Sequence, residues 1–108
     1  LKSKNCKLLY MSVNPINSVM ITKAGKGART EAQVREFNSK IRSGLSLNYK
    51  YIDTYSVLMK KGYGTNSSYS GTDAASDDGL HYTTKTFKRI YYYCITYLNT
   101  GSIDASIY

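Results

Sequence analysis

Tryptophan is absent from these 108 residues, proline and histidine occur once each, and cysteine occurs twice. Each shortage excludes something. One histidine, with no cysteine pair at ligand spacing, leaves too few soft ligands for a zinc-type site, so no metal is expected. Cys6 and Cys94 lie at opposite ends; Cys6 precedes a strand and Cys94 falls on the apolar side of an expected helix. Both read as buried thiols, with a disulfide between them as the alternative. No apolar run approaches the roughly 18 to 20 residues that a membrane-crossing helix needs, so no membrane span is expected. No signal peptide is visible, and the chain opens on Leu1 and enters a strand-like run almost at once, as a piece cut from something longer would. Acid is scarce too: 7 acidic residues stand against 15 basic ones, giving a net charge of +8. The basic residues are scattered along the chain rather than blocked together. That pattern suits a solvated surface, and no nucleic-acid partner is expected.

What is present is enough to pack. Apolar residues make 42% and charged residues 20% of the chain, ordinary values for one globular unit. "KLLYMSV", Lys7 to Val13, is an unbroken apolar run, the pattern of a strand covered on both faces as in parallel sheets. Asn14-Pro15 ends it, because proline lacks an amide donor and biases its predecessor away from helix. "NSVMITKAGKGAR" has weak periodicity and reads as an ordered surface loop; its glycines lack the Gly-Lys-Ser/Thr ending of a phosphate-binding loop. Thr30 with Gln33 forms a capping box, followed by Val34, Phe37, Ile41 and Leu45 at helical spacing. "YKYID", Tyr49 to Asp53, is the next strand, which completes a βαβ unit with both strand C-termini on one sheet edge. Asp53 caps a short helix, "TYSVLMKK", that stops at Gly62. A long connection poor in aliphatics, "GYGTNSSYSGTDAASDDG", follows, and connections of that length are functional or mobile. Then "YTTKTFKRIYYYCITYL" sets Phe87, Ile90, Tyr91, Cys94, Ile95 and Leu98 on one face of a final helix expected to pack on the sheet. The order β, α, β, short α, loop, α predicts an α/β chain, the second half of a doubly wound three-layer fold.

In such sheets chemistry sits outside the carboxyl ends of the strands, and the loop bearing Asp78 and His81 follows the last of them. His81 is the side chain here that moves a proton near neutral pH without a large shift. Asp78 precedes it by a turn's spacing, which lets the carboxylate fold back on the imidazole and fix its tautomer, two-thirds of an acyl-transfer triad. The structural alternative is that Asp77 or Asp78 caps the last helix while His81 stands in its first turn.

"DDGLHYTTKTFKRIYYYCI" resembles the closing block of the SGNH hydrolases, the GDSL-type esterase and lipase superfamily, in which Asp-x-x-His leads into the C-terminal helix. "YMSVNPI" and "YIDTYSVLMKKGY" resemble the two strand blocks before it in bacterial members, so the likeness runs from about Lys7 to Leu98. It implies the C-terminal half of a three-layer α/β/α flavodoxin-like fold with a parallel sheet, spanning 1–108 as part of one domain. It also implies that Asp78 orients the imidazole and that His81 is the general base of a Ser-His-Asp triad, with no cofactor. Secretion or a bacterial cell surface is a family-level expectation.

The family's nucleophilic serine, in a Gly-Asp-Ser block, and its oxyanion glycine and asparagine blocks have no counterpart here. Ser12 lies in a strand without that context. Asn14 lacks the Gly-x-Asn-Asp setting and is expected only to line the substrate cleft, as is Tyr82. Losing a nucleophile and oxyanion donors, each of the latter worth about 3 kcal/mol, leaves the chain inactive alone. A nicked enzyme is expected, whose N-terminal piece carries the serine and whose substrate is a small ester or an acylated carbohydrate. Among the 12 tyrosines, Tyr63, Tyr69 and Tyr82 are candidates for stacking on sugar rings. The alternative function is a non-catalytic carbohydrate-binding or scaffolding module, and acyl transfer to an alcohol would use the same residues as hydrolysis.

Overall fold

The computed structural model describes residues 8–25, 27–45, 49–64 and 79–106. Asp78, together with Cys6, Tyr69 and Asp77, lies outside the described residues.

The segments "KLLYMSV" and "YKYID" form strands β1 (Leu8–Met11) and β2 (Tyr49–Ile52), paired in parallel with Leu8 opposite Tyr49 and Met11 opposite Ile52. β1 is shorter than its apolar run. The Ser12 amide still donates to the Ile52 carbonyl at 3.0 Å, but Val13 turns its backbone to a side chain of the following helix pair. Nor is the run covered on both faces: Leu9, Met11 and Val13, which share a face by the two-residue period of a strand, are 40%, 41% and 39% exposed. On the opposite face Tyr10 and Tyr51 stack, ring centroids 6.1 Å apart and planes 11° from parallel, and the Arg42 guanidinium lies 5.0 Å from the Tyr51 centroid.

Between the strands come two helices rather than one. The segment expected to be a surface loop contains α1 (Ser18–Lys23), started by Asn17, whose Oδ1 accepts from the Met20 amide at 3.1 Å. So short a helix is not stable by itself; burial of Ile21 holds it. α2 (Glu31–Gly44) begins at the expected capping box, where Thr30 Oγ1 accepts from the Gln33 amide at 3.2 Å and the Thr30 amide donates to Gln33 Oε1 at 2.9 Å. Its buried stripe holds Val34 and Asn38 whereas Phe37, expected inside, is exposed.

Helix α3 (Thr54–Lys60) is capped by Asp53 as expected, with Oδ1 accepting from the Ser56 amide at 3.0 Å. Helix α4 (Thr84–Thr100) is capped by Thr83 and closed by Gly101, φ 79°, whose amide donates to the Tyr97 carbonyl at 2.8 Å. Its inner face corrects the expectation. Thr86, Arg89, Ile90 and Tyr93 are buried, while Phe87, Tyr91 and Leu98 point to solvent. Only the flank of α4 meets the sheet's exposed face, where the Cys94 thiol, a free cysteine, sits 3.8 Å from Met11 Sδ.

The core forms two clusters. Leu58, Tyr63, Ile90 and Tyr93 join α3 to α4, and Ile16, Ile21, Val34 and Tyr55 join the end of β1 to α1, α2 and α3. Full burial of a side chain such as Leu58 or Ile21 is worth about 1.5–3 kcal/mol. The architecture is thus mixed helix and strand around a two-stranded parallel sheet. Among the described residues, no helix is long and apolar enough to cross a membrane.

Candidate functional site

The carboxyl ends of β1 and β2 are joined by a short polar network. Thr54 Oγ1 donates to Asn14 Oδ1 at 2.6 Å and lies 3.1 Å from Ser12 Oγ, which accepts from the Tyr55 amide at 2.8 Å. Ser12 is fully buried and occupied by these bonds, so its hydroxyl is a structural part of the strand junction. Asn38 reaches across from α2 and makes two bonds to one residue. The Val13 amide donates to its Oδ1 at 2.8 Å, and its Nδ2 donates to the Val13 carbonyl at 2.9 Å.

The segment ahead of α4 folds onto this edge. The Gly79 carbonyl accepts from the Asn17 amide at 3.0 Å, and the Tyr82 hydroxyl donates to the Pro15 carbonyl. Between these two anchors His81 is exposed. The chain closes tightly at Gly79: a Cβ there would stand 2.5 Å from the Asn17 carbonyl oxygen and 2.9 Å from the Ile21 amide nitrogen. Because Thr83 is the cap of α4, neither Asp77 nor Asp78 holds that position, and His81 precedes the helix instead of standing in its first turn. The helix-cap explanation of this stretch is therefore removed.

Of the residues singled out from sequence, the structure brings Asn14, His81 and Tyr82 to one edge of the sheet. Asn14 is half-buried, with Oδ1 engaged by Thr54 and Nδ2 left without a partner among the described residues. Tyr82 is wedged between Tyr63, 5.9 Å away edge to face, and Phe87, 6.3 Å away. Burial, reinforced by the neighbouring Tyr63 and Tyr55, pushes the Tyr82 hydroxyl well above the usual tyrosine range. It remains a neutral donor to Pro15, and Tyr82 acts first as a strut for the His81 segment. Tyr63, a candidate sugar platform by sequence, is buried and unavailable for stacking.

Beside Val13 opens an apolar groove of about 480 Å³, lined by Val13, Arg29, Gln33, Val34 and Phe37. A more polar hollow of about 230 Å³ lies over the other strand end, where Arg42 Nη1 and Asp53 Oδ2 are 3.4 Å apart. Among the described residues, no three His, Cys, Asp or Glu side chains gather to hold a metal ion. The residues missed from sequence are Asn38 and Thr54, polar side chains buried at the strand ends. Asn38 carried a signal, since it continues the Val34, Ile41 and Leu45 stripe as well as Phe37 does.

No protein-family model matches this chain, and no curated protein and no solved structure matches it.

Proposed function

We propose that this chain is the C-terminal part of a serine ester hydrolase of the SGNH type, whose nucleophile and oxyanion donors come from a separate N-terminal piece. The carrying observation is the double anchoring of the Gly79–Tyr82 segment to Asn17 and Pro15, with the one histidine exposed between the anchors at the carboxyl edge of a parallel sheet. In this reading His81 takes the proton from the serine hydroxyl as it attacks the ester carbonyl. It then returns that proton to the leaving alcohol, and water repeats the sequence to release the acid. Asp78 orients the imidazole. Asn14 Nδ2 remains a donor for a substrate oxygen, and the apolar groove beside Val13 supplies a wall for an acyl or sugar substituent. The reaction needs no metal and no cofactor. The two strands then belong to a larger three-layer α/β/α sheet whose remaining strands lie on the N-terminal piece, and the incomplete cover of Leu9, Met11 and Val13 fits that arrangement.

The test is ester hydrolysis by this chain combined with the polypeptide preceding it, assayed with an aryl acetate and an acetylated saccharide. His81→Ala lowers kcat by about 10³-fold or more, and an unchanged rate refutes the proposal. One observation favours a second reading: Phe87, Tyr91 and Tyr92 form exposed aromatic surface on α4, with the two tyrosine rings 5.9 Å apart. A non-catalytic carbohydrate-binding module would bind saccharide through them and show no His81-dependent turnover.

A further inference from the structure

Arginine almost never loses its charge, so a buried guanidinium without a counter-charge is costly. Arg89, on the inner face of α4, is 9% exposed. Nη1 donates to the Tyr63 hydroxyl at 2.6 Å, and that hydroxyl also lies 2.9 Å from Thr86 Oγ1. The guanidinium carbon is 5.8 Å from the Tyr63 ring centroid. These contacts are neutral. Among the described residues the ion pairs are those of Arg35, Lys40 and Arg42, and none reaches Arg89.

Two further polar atoms on the same stripe lack partners. Arg89 Nε is buried with no acceptor, and so is the hydroxyl of Tyr93, a residue 0% exposed and one helical turn further on. Burial raises the Tyr93 hydroxyl above its ordinary pKa while the Arg89 charge pulls it back down, so the two groups are within electrostatic reach. Two buried donors without partners, four residues apart on one helix and one of them part of a cation with no counter-charge, mark a place for an acceptor that carries negative charge. Nη1 is engaged, which leaves the edge of the guanidinium formed by Nε and Nη2; that edge matches two oxygens of one planar acceptor. Tyr93 itself belongs to the apolar cluster of Leu58, Tyr63 and Ile90.

We propose that Arg89 and Tyr93 form a buried site for a small carboxylate, held by the Nε edge of the guanidinium and by the Tyr93 hydroxyl. The proposal does not depend on the esterase reading. Water would satisfy the donors but leave the charge uncompensated.

The experiment is thermal unfolding of the 108-residue chain in sodium formate and, at equal ionic strength, in sodium chloride, which corrects for screening of a +8 molecule. Formate at ten times its dissociation constant raises the melting temperature about 5 °C above the chloride value. Arg89→Met abolishes that formate-specific rise. Tyr93→Phe, a milder change, melts at or above the parent temperature in chloride, because an orphaned hydroxyl is gone, and shows a smaller rise with formate. Equal melting of the parent chain in the two salts overturns the proposal. So does a formate rise undiminished in Tyr93→Phe or retained in Arg89→Met. Should Arg89→Met not fold, the parent titration and Tyr93→Phe decide.

Discussion

Gly79 and Gly101 have nearly the same left-handed backbone, φ 76° and 79°, and very different surroundings. An alanine Cβ at Gly101 meets nothing within 4 Å, whereas at Gly79 it would meet the Asn17 carbonyl oxygen at 2.5 Å, the Ile21 amide nitrogen at 2.9 Å and Met20 Cβ at 3.0 Å. Gly101→Ala therefore carries only the cost of a left-handed L-residue, about 1–2 kcal/mol. Gly79→Ala carries the same cost and a collision with backbone that no rotamer relieves. The segment has to lift, losing the Asn17 to Gly79 hydrogen bond, about 0.5–1.5 kcal/mol, and part of the apolar contact of Leu80 with the Ile16–Ile21 cluster, about 1 kcal/mol more. The difference between the two variants is then about 2 kcal/mol, or about 10 °C in melting temperature for a domain near 100 residues. Far-UV circular dichroism melts of the two variants beside the parent chain measure it. If they melt within a degree or two of each other, the Gly79–Tyr82 segment is not seated on the end of β1, and the placement of His81 on that edge fails with it.

Asn38→Ala strips the partners from both the amide and the carbonyl of Val13, and should cost about 2–3 kcal/mol; the urea midpoint falls with an unchanged m-value, and an unmoved midpoint refutes the clamp. The raised Tyr82 hydroxyl makes stability decline in alkali. A hydroxyl whose pKa is higher in the fold contributes fully below about pH 10, the unfolded value, and its contribution is lost as pH climbs toward the folded value, at about 1.4 kcal/mol per pH unit. Urea unfolding between about pH 8 and pH 11.5 shows the decline, and Tyr82→Phe reduces its slope by one proton's worth; an identical slope in the variant contradicts the burial.

Features governed by neighbours in the chain were legible in the sequence. Thr30 with Gln33, and Asp53 ahead of Ser56, are local hydrogen-bond patterns, and both caps form as read. Both parallel strands were legible too, the first as an apolar run. What escaped was decided by tertiary contact. α1 exists because Ile21 is buried beneath the Gly79 segment, a contact far off in the chain that no periodicity in "NSVMITK" reports. The face of α4 was misjudged because hydrophobicity ranks Phe87, Tyr91 and Leu98 above Thr86 and Arg89, whereas the Tyr63 hydroxyl supplies hydrogen bonds that let the polar pair lie inside. At the candidate site, His81 and its position after the last strand could be read directly. The anchoring through Asn17 and Pro15 could not, since both bonds end on backbone carbonyls that every sequence possesses, and no local pattern pairs the Asn17 amide or the Tyr82 hydroxyl with them.

The Asn38 side chain has a consequence for the sheet itself. In a strand, backbone groups alternate between edges. The Ser12 amide faces β2, so the Val13 amide and carbonyl face the other way, along the open side of β1, and both are already taken by one amide side chain. Asn38 is a bookend. Any strand laid along that side finds pairing groups at Leu9 and Met11 and none at Val13, so the place where it must stop, and hence its alignment with β1, is set before it arrives.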